Sequence, residues 1–254
     1  MGHLRSCLEG IALTTDVRTL PGNWAKRVLG RRGTVVARCL KRGLPIPRWG
    51  NLRRVVPFSA DFGAERGTPI DRHYLDNFLR AHQVSITGTV LEIQIPAYAR
   101  RFGHDLARID TVDFNPVFAP TYVTDLAHAD AIPSNAYDCF LLPATLQGLR
   151  DIEGCLRHAL RVVRPGGLVV ASTAGFVPLM ADVPDYWRMS AAGWREVTDR
   201  VWRGCEVEVH AYGNCLAATA SMMGIAAEEL TPEELDAKDP RYPVVVALSC
   251  QKPR

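Results

Sequence analysis

The chain has 254 residues, of which 47% are apolar and 22% charged. That is enough for one large α/β domain or a domain with an appendage, and too apolar for a disordered chain. No apolar run approaches the roughly 18 residues of a membrane span, and the N-terminus lacks the apolar core of a signal peptide, so a cytoplasmic location is expected. The formal charge of +3 conceals an asymmetry. Through Ala60, Arg5, Arg18, Lys26, Arg27, Arg31, Arg32, Arg38, Lys41, Arg42, Arg48, Arg53 and Arg54 face only Glu9 and Asp16, so the remainder is net acidic.

Seven cysteines are scattered, with no CxxC and no Cys/His spacing suited to zinc. They read as ordinary thiols in a reducing compartment, and no metal is expected. The basic block suits a solvated helix face better than any one partner. It lacks the interleaved aromatics expected of a single-strand binder, so neither nucleic acid nor membrane is expected as a partner.

Taken in order, residues 1–22 carry little signal. Between Trp24 and Leu44, apolar residues interleave with basic ones as one or two short amphipathic helices, with Gly30 and Gly33 against a continuous one. Leu44–Gly50 is a Pro-punctuated connector. Thr68 is placed to cap a helix beginning at Pro69, with Ile70, Tyr74, Leu75, Phe78 and Leu79 as its apolar stripe. The polar set Arg66, Asp71, Arg72, His73 and Tyr74 crowds its start. Val90–Ile93 reads as a buried parallel strand carrying one acid, Glu92, where such a strand ends.

A second strand, Ile109–Asp113, ends in an acid 21 positions after Glu92. An acid-bearing turn follows at Tyr122–Leu126, then a strand at Tyr137–Leu142 and a helix at Asp151–Val163. Arg164–Gly167 reads as a turn into a strand at Leu168–Ser172. Ser190 caps a helix through Val201. Cys205–Tyr212 alternates as a strand, Thr231-Pro232-Glu233-Glu234 opens a helix, and Val244–Leu248 is the last strand. The pattern predicts a doubly wound, seven-stranded Rossmann-like sheet with one edge hairpin, preceded by an N-terminal helical extension. The boundary falls between residues 1–56, a basic extension or lid, and residues 57–254.

Acids ending adjacent strands suit a ligand rich in hydroxyls, because a carboxylate accepts two ribose hydrogen bonds at once. With neither a P-loop nor GxGxxG, a nucleoside without phosphates fits better than a dinucleotide. From Pro57 to Lys252 the chain resembles class I S-adenosylmethionine-dependent methyltransferases of small bacterial, natural-product type. The matching stretches are PFSADFGAERGTPIDRHYLDNFL, VLEI, TYVTDL, RVVRPGGLVV and DYWRMS.

The resemblance implies S-adenosylmethionine as cofactor and a polar small molecule, sugar-containing or another natural product, as methyl acceptor at O or N. It implies that Glu92 and Gln94 lie in the first cofactor motif, that Asp113 holds the ribose, and that Asp125 and Leu126 flank the adenine. Pro143 and Ala144 would line the sulfonium side, and Arg66, Arg72 or Tyr74 would meet the methionyl carboxylate. His73, His128 and Asp185 are the candidate catalytic bases, with His210 behind them. The chain departs from the family pattern at Gln94-Ile95-Pro96, where a glycine-bearing turn is usual. A repurposed cyclase, isomerase or lyase is therefore the alternative expectation.

Overall fold

The computed structural model describes residues 22–180 and 183–254. Arg5, Glu9, Asp16 and Arg18 of the basic block lie outside the described residues. The chain divides into two compact units between Val55 and Val56. The first contains α1 (Gly22–Lys41), broken at Gly30, whose φ of 62° and ψ of −178° are open to glycine at little cost. The expected interruption is thus there, one helical piece on each side of it. Arg32, Arg38, Lys41 and Arg42 are exposed, as are Val35 and Leu40.

The second unit carries α2 (Ile70–Ala81), β1 (Gly88–Ile93), α3 (Ala97–Phe102), β2 (Leu106–Asp113), β3 (Tyr122–Val123), β4 (Tyr137–Leu142) and α4 (Ile152–Val162). It continues with β5 (Val163–Ala174), α5 (Ala191–Val201), β6 (Glu206–Tyr212), α6 (Cys215–Met222), α7 (Pro232–Asp236) and β7 (Val245–Gln251). The strands form one seven-stranded sheet in the order β3-β2-β1-β4-β5-β7-β6. The first five are parallel, and β7 runs antiparallel to both β5 and β6, which supplies the predicted edge hairpin. This is a doubly wound, Rossmann-like architecture with an antiparallel edge hairpin.

The near-continuous apolar strands follow from burial on both faces. One face packs α4 and α5 through Leu156, Ala159, Trp194 and Val197, with Trp202 alongside. The other packs α2, α3 and α6 through Ile70, Phe78, Ala99 and Ala217. Burying each of the larger side chains contributes roughly 1.5–3 kcal/mol. Local signals set the helix starts. Asp151 accepts the Gly154 amide at 2.9 Å and Ser190 the Gly193 amide at 3.3 Å. Thr231 and Glu234 close a reciprocal capping box.

Two local expectations change, and one further helix is present. Thr68 does not cap α2: its hydroxyl donates to Glu228 Oε1 at 2.6 Å, and Pro69 stands at the cap position. Arg164–Gly167 is not a separate turn but an irregular stretch of β5, where the register against β4 shifts between Tyr137 and Cys139. The sequence pattern does not mark helix α6, because its small, apolar residues lack an amphipathic stripe.

Candidate active site

The chain leaves β1 toward β2 and β3 on one side and returns as β4 on the other, so the strand order reverses at β1/β4. A crevice beyond the carboxyl ends of the strands is expected at such a switch point. Residues Gln94–Ala97, Phe114–Asn115 and Pro143–Thr145 follow directly on the ends of β1, β2 and β4.

Glu92 and Asp113 lie on one face of neighbouring strands, since Glu92 pairs with Thr111 and side chains alternate along a strand. Their environments differ. Glu92 is 1% exposed, and its Oε1 and Oε2 accept the amides of Tyr98 (2.9 Å) and Ala99 (2.7 Å). It therefore caps α3 from inside and has no free oxygen with which to grip a ligand. Burial pushes its pKa up to about 7, against the pull of those amides. Asp113, at the end of β2, accepts the Asn115 amide through Oδ1 at 2.7 Å, and among the described residues its Oδ2 accepts no hydrogen bond. Of the two acids, Asp113 is the one able to take a ligand's hydroxyls.

Gln94 has a φ of 64°, the left-handed conformation that a glycine would adopt freely. Its amide donates to Val112 O at 2.9 Å, which ties the turn to β2. The backbone thus keeps the glycine-type turn and carries an exposed side chain in addition. Exposed Ile95, Phe114, Val117 and Phe118 surround these strand ends in sequence. Asp125 is exposed and accepts the Ala127 amide, whereas Leu126 is buried in the core.

Next to this edge lies a cavity of about 260 Å³ bounded by the start of α2, the loop after β4 and the end of β5. Asp71, Arg72 and Leu75 of α2 line it, with Ala144, Gln147, Ser172, Thr173 and Ala174. Val177, Pro178, Met180, Asp185 and Arg188 close it from the following loop. Ala144 (φ 48°) is held by its amide donating to Ser172 Oγ at 2.7 Å. Gln147 fixes the wall from both ends: Nε2 donates to Ala144 O (2.6 Å) and Oε1 accepts the Ala174 amide (3.2 Å). Immediately after β5 the chain runs so close to the segment leading into β7 that a Cβ on Gly175 would stand 2.1 Å from Pro243 O.

The cavity gathers Arg72, Ala144 and Asp185 from the sequence candidates. Arg72 extends Nη1 to the Tyr98 hydroxyl at 3.4 Å. Asp185 is no free base, because Arg188 holds it in an ion pair while also donating to the carbonyls of Gly175, Val177 and Pro178. Pro143 precedes Ala144 on the same loop. The remaining candidates lie elsewhere. Tyr74 is a core residue whose hydroxyl donates to Leu235 O at 2.8 Å. Arg66 forms a two-pronged pair with Glu229, at 2.8 and 2.5 Å. His73 contacts Asn77 at 3.0 Å on another face of α2, His128 is exposed in a turn, and His210 pairs with Glu208 at the sheet edge. Ser172 belongs to the site as well, holding the Ala144 loop through its hydroxyl, and a serine ending an apolar strand is the sequence signal for it. Among the described residues, no three His, Cys, Asp or Glu side chains converge as a metal site.

A family model described as a methyltransferase domain matches residues 80–171, the segment from the end of α2 through most of β5. That match supports S-adenosylmethionine as the cofactor. No curated protein matches the chain. Among solved structures, an S-adenosylmethionine-dependent methyltransferase from Mesorhizobium loti is 15% identical, with 70% of this chain and 100% of that one covered, at a TM-score of 0.48. A SAM-dependent methyltransferase from Archaeoglobus fulgidus is 11% identical over 71% and 94%, also at 0.48. The [4+2]-cyclase SpnF is 15% identical over 90% and 96%, again at 0.48. The architecture assigned above rests on the strand order itself.

Proposed function

We propose that the protein transfers a methyl group from S-adenosylmethionine to an O or N atom of a polar small molecule. The observation that carries this reading is Asp113: a buried carboxylate at the tip of β2, beside the switch point, with one oxygen unengaged. Such a group accepts vicinal ribose hydroxyls. The Gln94 turn follows β1 in the conformation a close-approaching backbone needs, and Ala144 is shared between the loop after β4 and the cavity. The residues present fit the cofactor.

Bound S-adenosylmethionine would supply an electrophilic sulfonium methyl. The chain's part is positional, since alignment of nucleophile and methyl supplies much of the barrier reduction in an in-line displacement. Asp113 anchors the nucleoside, the Ala144 loop separates donor from acceptor, and the cavity walls exclude water from the acceptor. Residues 57–254 are read as the catalytic domain and residues 1–56 as a basic extension.

Calorimetric titration with S-adenosylhomocysteine tests the reading: saturable binding is expected, and none to the folded protein removes methyl transfer. The Gln94 side chain, standing where a glycine is usual, favours a second reading as a cyclase, isomerase or lyase on the same fold. Binding of S-adenosylhomocysteine without methyl consumption across an acceptor panel would select it.

A further inference from the structure

Residues 22–55 carry ten Lys and Arg and no Asp or Glu. Arg32, Arg38, Lys41, Arg42, Arg48 and Arg53 are exposed, and among the described residues none of them forms an ion pair. By charge alone such a stretch is a solvated face. The helical piece after Gly30 adds something that water does not suit. Val35, Val36, Cys39 and Leu40 recur at helical spacing and share one side of it, with Arg38 and Lys41 on the other. That apolar side is left uncovered: Val35 is 55% exposed and Leu40 61%.

The second observation lies beyond the helix. Leu44, Ile46, Trp49 and Leu52 are exposed in succession along the connector, with Arg48 and Arg53 among them. Exposed apolar side chains need no explanation singly, but a run of them does. An amphipathic helix with Lys and Arg on its polar side and Leu or Trp on the other is the form that lies in the plane of a lipid surface. Its cations gain from anionic headgroups, about fivefold in affinity for each Lys or Arg near the surface. A nucleic acid would satisfy the cations but leave the aliphatic side chains in water. Single-strand binding also draws on several stacking aromatics, and Trp49 is the one aromatic among the described side chains of this unit. Among the described residues no helix is long and apolar enough to cross a membrane, so contact is with one leaflet.

We propose that residues 22–55 bind the surface of an anionic bilayer, with Val35, Leu40 and Trp49 entering the headgroup boundary and the flanking Lys and Arg held over acidic headgroups. The charge supplies attraction and the apolar side chains supply residence, so both are needed for stable attachment. This is a partner that the charge pattern alone did not call for. The binding is independent of what the second unit catalyses.

Flotation of the full chain with phosphatidylcholine vesicles tests it, with about one lipid in three replaced by phosphatidylglycerol or with none replaced, at about 0.1 M salt. At least a tenfold preference for the anionic vesicles is expected. Combining Arg38→Glu, Lys41→Glu and Arg42→Glu should abolish that preference. Leu40→Ser with Trp49→Ser should weaken binding to anionic vesicles at least fivefold while leaving affinity for a single-stranded oligonucleotide unchanged. No binding to anionic vesicles, equal binding to neutral ones, or a preference that survives the charge reversal overturns the proposal. So does an oligonucleotide bound more tightly than the vesicles when the apolar substitutions change neither affinity, which would make the block a nucleic-acid site. Should one variant fail to fold, the wild-type preference and the other variant still decide.

Discussion

Glu92 Oε2 accepts the Ala99 amide at 2.7 Å, joining the end of β1 to the helix that follows it. The acid that the sequence places at the ligand edge is thus part of the scaffold of that edge. Its folded pKa of about 7 lies above the ordinary 4.5. The stabilisation is therefore full below pH 4.5 and is lost as pH rises through 7, with a slope of at most about 1.4 kcal/mol per pH unit. Glu92→Gln keeps the shape but turns one acceptor into a donor facing an amide, costing about 1–3 kcal/mol at pH 5. Urea denaturation should show this gap narrowing toward pH 8. A gap that stays constant or widens would contradict the assignment.

At Gln94 the left-handed backbone carries a side chain it does not favour. Gln94→Gly should stabilise the protein by about 1 kcal/mol, the αL penalty less the extra entropy of glycine. It should also leave S-adenosylhomocysteine binding equal or tighter. Destabilisation in the same urea titration would mean that the Gln94 side chain makes a contact the turn depends on.

Arg188 serves four partners around the cavity mouth, and its pair with Asp185 is largely buried, with side chains 25% and 9% exposed. Arg188→Met would leave that carboxylate uncompensated and should cost about 3–5 kcal/mol. Adding Asp185→Leu should recover part of the loss, because replacing both charges removes the orphan. Thermal unfolding of the two single variants and the double variant checks this. Additive losses would show that the ion pair is not a coupled unit.

Thr173→Val exchanges an unpaired buried hydroxyl for a methyl of similar shape. Without ligand it should leave stability unchanged or raise it by up to about 1 kcal/mol. A loss above 1 kcal/mol in thermal unfolding would mean that the hydroxyl is already satisfied in the free protein.

How far the sequence reveals this protein follows from where each signal resides. The strands Val90–Ile93 and Tyr137–Leu142 are legible because burial on both faces writes a continuous apolar run. Ser190 and Thr231 are legible because a cap is a local event. The site is less so. Tyr74 and Arg66 look functional in a crowded polar stretch, but their partners, Leu235 and Glu229, are more than 160 positions away and invisible to local reading. Asp185 resembles a free base until Arg188 is seen to fold back on it. Helix α6 escapes because its exposed face, with Leu216 and Met222, is as apolar as its buried one.

The central claim is that Asp113 holds the ribose of the cofactor at the β1/β2 edge. The most direct measurement is a crystal structure with S-adenosylhomocysteine. The account predicts the ribose hydroxyls within hydrogen-bond distance of Asp113 Oδ2 and the thioether directed past Ala144 toward the cavity. A nucleoside bound anywhere else, or Asp113 still turned wholly to its own loop, would contradict it.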